Sequence, residues 1–130
     1  MSQKRVLTWL LLILTLALTA CGGSDDDEGD LSVELALTPD PPLVGPATIV
    51  VTLHDADGQP ISGAEMELEG TMTHAGMVPV FGAAAEKEPG RYETELEFTM
   101  GGDWVIIVRA DLPDGGSLEK EFDVPGVKMP

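Results

Sequence analysis

Cysteine occurs once in the 130 residues, at position 21. A lone cysteine excludes an intrachain disulfide and a thiolate metal cluster, so the fold must stand on packing alone. Positive charge is scarce: seven Lys and Arg face 23 Asp and Glu, for a net charge of −16. That balance excludes nucleic-acid binding through phosphates, which needs clustered cations. It also sets the chain against anionic lipid head groups, so any membrane contact must be covalent. It favours a soluble, monomeric domain. Reaction signatures are missing as well: there is no HExxH, no GxSxG and no phosphate-binding loop. Histidine occurs only at His54 and His74, and Ser62 and Ser117 have no evident base. The expectation is a protein that is not an enzyme.

Three segments follow one another. Lys4 and Arg5 precede an apolar run through Ala20 that is too short for a spanning helix, which needs about 20 residues. Residues 1–20 are expected to be an export signal. Leu18-Thr19-Ala20-Cys21 resembles the lipobox of bacterial lipoproteins. The resemblance implies cleavage before Cys21, a lipid (diacylglyceryl, often with a palmitate) on its sulfur, and a domain tethered to a membrane outside the cytoplasm. Loss of Lys4 and Arg5 with the signal takes the net charge to −18. Residues 21–30 continue as GGSDDDEGD after the cysteine, a flexible acidic tether extended by its own charge. It lacks the spaced ligands of a calcium loop.

Residues 31–130 alternate apolar and polar positions between regularly spaced turns. Pro39-Asp40-Pro41-Pro42, Asp55 to Pro60, Glu88-Pro89-Gly90, Gly101-Gly102-Asp103 and Pro113 to Gly116 are the breaks. The runs between them repeat with period two, and the glutamates of 65–69, 93–97 and 119–121 face solvent. Trp104 to Val108 is apolar on both faces, as in a central strand. No amphipathic stretch of helix length follows the signal, and Ala83 to Glu86 holds one helical turn at most. With a strand near Thr71 to His74, the pattern predicts about seven strands. The expected fold is all-β, an immunoglobulin-like antiparallel β-sandwich. Its expected core is Ile49, Val51, Leu53, Leu68, Leu96, Phe98, Trp104, Ile106, Val108 and Phe122.

One segment carries possible chemistry: Met72-Thr73-His74-Ala75-Gly76-Met77. On an extended strand Met72 and His74 share a face. A bend at Ala75-Gly76 returns Met77 toward it, and Met100 lies before another glycine turn. Thioethers are soft ligands that select Cu(I), and imidazole also suits copper. Met72, His74, Met77 and Met100 are therefore the candidate metal ligands. The opposing reading treats the methionines as core filler, as Met66 is taken to be.

The stretch from Pro42 to Val124 resembles the YtkA-like family, akin to FixH-type and copper-resistance sandwich domains. The matching residues are Gly45, Asp57-Gly58-Gln59-Pro60-Ile61-Ser62-Gly63-Ala64, the Met72 to Met77 cluster, Pro89-Gly90-Arg91-Tyr92, and Phe98 to Trp104. The resemblance implies an immunoglobulin-like fold outside the cytoplasm, in company with copper transport or oxidase assembly. It implies a copper-handling envelope protein as partner. It departs from an imidazole-rich Cu(II) site, because no second histidine stands near His74. Two functions remain open: a tethered domain that binds or delivers Cu(I), and a metal-free envelope adaptor.

Overall fold

Among the described residues the alternating runs form seven strands and no helix: β1 (Ser32–Thr38), β2 (Gly45–His54), β3 (Glu65–Met72), β4 (Val80–Glu88), β5 (Arg91–Phe98), β6 (Gly102–Asp111) and β7 (Ser117–Val127). The computed structural model describes residues 31–74 and 76–130. The signal, Cys21 and the tether lie outside the described residues. Among the described residues no helix is long and apolar enough to cross a membrane.

The strands pair antiparallel in the order β1-β2-β5-β4-β3-β6-β7. β4 belongs to two layers in turn. Its first half pairs with β3 from Val80↔Gly70 to Ala84↔Met66. Its second half pairs with β5 from Ala85↔Glu93 onward, with a register shift between Glu86 and Glu88. This fold of the ribbon sets β1, β2 and β5 against β3, β6 and β7, the two-layer sandwich expected. On the far side the gap is partly closed by main chain. Val44 N–H donates to the Lys128 carbonyl at 2.8 Å, and Lys128 N–H donates to the Pro42 carbonyl at 3.2 Å.

The strand predicted near Thr71 to His74 is not separate. Thr71 and Met72 end β3, and residues 73–79 form the connection to β4. The seventh strand is instead β4, in the Ala- and Gly-rich stretch read as at most a helical turn. Its residues have low strand propensity, and pairing to neighbours on both sides overrides that preference.

Inward-facing residues fill the space between layers. Ile49, Val51, Leu53, Leu68, Leu96, Phe98, Trp104, Ile106 and Val108 are buried as expected, with Tyr92 beside them. Phe98 and Trp104 meet edge to face, their centroids 5.2 Å apart. Phe122 is only half-buried and packs at the margin, beneath the Lys120 ammonium at 5.3 Å. β6 runs between β3 and β7, with Trp104, Ile106 and Val108 buried on its inward face and Val105 and Ile107 half-buried on the other.

An odd number of antiparallel strands gives the sandwich two different ends. At one end β1 begins, paired Ser32↔His54, and the turns after β2, β4 and β6 gather. At the other end β1, β3, β5 and β7 finish, with residues 39–44, 73–79, 99–101 and 128–130 around them.

Candidate metal centre

The second end collects four of the five described methionines, Met66 being near the other end. β3 delivers Met72 as its last residue, paired with Trp104 of β6. The connection 73–79 holds His74 and Met77, and residues 99–101 hold Met100. The predicted ligands thus come to one end, but not to one face. β3 buries Met66, Leu68, Gly70 and Met72 in strict alternation. The strand stops at Met72, and with it stops the alternation that was to place His74 alongside. Met72 is buried, only 7% exposed, whereas His74 is exposed. The shared face expected for these two residues does not form.

Met72 points beneath the β5–β6 turn. A Cβ placed on Gly102 would stand 2.8 Å from the Met72 Cε methyl, so this glycine makes room for the thioether end. Gly76, with φ at +86°, supplies the bend after His74. Met77 is half-buried and packs against the core. Met100 is 44% exposed, and its carbonyl accepts a 2.9 Å bond from Trp104 Nε1 that fixes the turn. His74, Met77 and Met100 are therefore the sequence-predicted donors with access to solvent.

Sequence reasoning passed over Met129. It is 72% exposed and follows β7 at this same end. The strand count holds the signal that finds it, since seven alternating strands bring the chain's last residues to the end where β3 and β5 finish. His54 lies at the opposite end, about 30 Å away along a ten-residue strand. Among the described residues no group of three or more His, Cys, Asp or Glu is placed to hold a metal ion. The donor chemistry of this end is thioether with one imidazole.

Two other features of the described residues are structural. An open hollow of about 600 Å³ is lined by Met66, Arg109 and Leu118 among others. Its Arg109 is already tied to Glu69 at 2.7 Å and Glu119 at 2.9 Å, which raise the guanidinium pKa further. The other is a clasp at the tether end. Tyr92 Oη donates to the Ile61 carbonyl at 2.7 Å and accepts from Ala64 N–H at 3.1 Å. Burial raises the Tyr92 pKa, keeping the phenol protonated for that donation. Glu86 accepts from Gly90 N–H and Gly63 N–H, and the Gly90 bond leads in lowering its pKa.

The profile of the YtkA-like family matches residues 25–109, well over half of the chain. The chain belongs to the YtkA-like family. That match spans β1 to most of β6 and includes the segment from Met72 to Met100, but not β7 or Met129. No curated protein matches this YtkA-like chain. Among solved structures it is similar to a DUF4426 family protein from Pseudomonas aeruginosa PAO1. The identity is 13% and the TM-score 0.57, over 78% of this chain and 94% of that one. Murine CRIg is similar at 12% identity and a TM-score of 0.44, over 76% of this chain and 98% of that one. The PmoD soluble domain from Methylocystis sp. ATCC 49242 (Rockwell) is similar at 14% and 0.44, over 75% and 90%. The first of these supports the sandwich fold alone.

Proposed function

We propose that this YtkA-like chain is a lipoprotein anchored to a membrane through Cys21, outside the cytoplasm, whose sandwich binds Cu(I) as cargo and passes it to an envelope protein. The observation that carries the reading is the gathering of His74, Met77 and Met100 at one end of the sandwich, accessible to solvent. Soft thioethers with one imidazole suit Cu(I) and poorly suit zinc. The YtkA-like resemblance read from the sequence adds the expectation of copper handling. An exposed, shallow donor set fits a carrier, which must release its ion. His74 must be neutral to ligate, so binding weakens on acidification.

The test is a Cu(I) titration of the reduced protein against a competing chelator, beside a chain carrying His74→Ala, Met77→Leu and Met100→Leu. Leucine keeps volume and removes sulfur, so the fold survives. Loss of affinity in the variant supports the reading. Equal affinity in both, or none in either, turns the balance to the adaptor.

One observation is compatible with that second reading. Val78 is 76% exposed and Phe81 57% exposed, close in sequence to His74 and Met77. Exposed apolar residues of this size suit contact with another protein. They serve a carrier docking on its recipient equally well, so the metal titration separates the two.

A further inference from the structure

Resting on the copper reading above, we infer that Met129, and not Met72, completes the thioether donors of this end, together with Met100. The two methionines differ in where β3 and β7 leave them. Met72 ends an inward-facing series, is 7% exposed, and has its methyl against Gly102. A sulfur so enclosed meets an arriving ion only if the β5–β6 turn opens. Met129 is 72% exposed.

The exposure of Met129 does not come from a loose tail. The residue before it, Lys128, is held on both sides of its peptide unit. Its N–H donates to Pro42 and its carbonyl accepts from Val44. One residue earlier, Val127 is buried and paired with Gly102. Gly101 lies so close that a Cβ there would stand 3.0 Å from the Val127 carbonyl oxygen. Met100 and Met129 each lie two residues beyond this last pair, at the same end of the sandwich. Met100 is itself fixed through its carbonyl by Trp104. Val78, Phe81, Met100 and Met129 are the exposed large apolar residues among those described, and the two with sulfur are Met100 and Met129. These two exposed thioethers beside the last β6–β7 pair, with His74 and Met77 from the neighbouring connection, give Cu(I) soft donors without opening the core.

The full chain, purified in detergent, is titrated with Cu(I) under reducing conditions against a chromophoric Cu(I) chelator. Beside it stand Met129→Leu, Met72→Leu, a chain ending at Lys128, and the His74→Ala/Met77→Leu/Met100→Leu variant. Removing even outer-sphere support weakens metal sites by about 10- to 100-fold. Met129→Leu and the shortened chain are therefore expected to bind at least about tenfold more weakly, with Met72→Leu matching wild type. Copper X-ray absorption should show one sulfur fewer in Met129→Leu. Wild-type affinity in Met129→Leu, with binding lost in the triple variant, overturns the inference and leaves the copper reading standing. A loss in Met72→Leu as large as in Met129→Leu also overturns it. A wild-type chain that takes up no Cu(I) overturns both.

Discussion

Tyr92 shows how much one side chain holds in a domain without a disulfide. Its ring is buried between the layers, and its hydroxyl joins the end of the β2–β3 connection through Ile61 and Ala64. Tyr92→Phe keeps the ring and strips both bonds. The expected cost is about 1–3 kcal/mol, the range for buried groups left without a partner. Urea denaturation reads it, and an unchanged midpoint would show that water replaces the hydroxyl. Glu86 acts at the same corner through charge. Its pKa is lowered, first by the Gly90 N–H bond, so the unfolded chain holds this proton more tightly than the folded one. Its contribution is therefore present at neutral pH and is lost as pH falls through the folded value. Glu86→Gln should melt below wild type at pH 7, and the gap should close on acidification. A gap that persists in acid would assign the effect to shape and not to charge. Neither role was legible in the sequence, where Glu86 is one glutamate in an acidic chain and Tyr92 only the start of an apolar alternation.

β4 is the element that sequence periodicity misread, and the reason is physical. β2, β3, β5 and β6 each keep one neighbour set and one alternation, so their apolar residues mark the inward face. β4 changes partners midway, from β3 to β5, and no single face stays inward along it. Small residues replace the alternation because the layers converge there. A Cβ on Gly82 would stand 2.6 Å from Thr94 Oγ1, 3.0 Å from Leu96 Cδ2 and 3.1 Å from the Glu95 carbonyl. Gly82→Ala should cost about 1–3 kcal/mol, as overpacking does. Ala83→Val, on an exposed neighbour, should stay within about 0.5 kcal/mol. Thermal melts of the two variants compare them directly. Equal melting would mean that the crossing yields without strain. The core, by contrast, was readable in its larger part: nine of the ten residues expected in it are buried, and Phe122 is half-buried on β7, an edge strand.

At the scale of the whole molecule, seven antiparallel strands make the two chain ends emerge from opposite ends of the sandwich. β1 starts beside His54, whereas Met129 follows β7 beside the Met100 turn. The candidate donors were chosen from their types and spacing, and the fold brings them to one end without the shared face expected of Met72 and His74. Their separation from the tether was not legible, because it depends on the parity of the strand count and one strand was misplaced. The arrangement has a consequence for the proposed anchor. A lipid on Cys21 and a tether through residues 22–30 would hold the domain by its His54 end and present the thioether end away from the membrane. The strands of ten residues set these ends about 30 Å apart. Cys21→Ala should release the protein from membranes, and mass spectrometry should find lipid on Cys21 of the wild type. Orientation is read separately, by reconstituting the lipidated chain in vesicles with quencher on the lipid head groups. A fluorophore at Asp57, in the turn after β2, should be quenched more than one at Val78, in the connection after β3. The acidic tether and acidic strands repel anionic head groups, so the contrast should be sharpest at low salt on anionic vesicles and fade as salt screens it. Equal quenching at the two positions would mean that the domain lies flat or tumbles freely, and that the thioether end gains no outward orientation from the anchor.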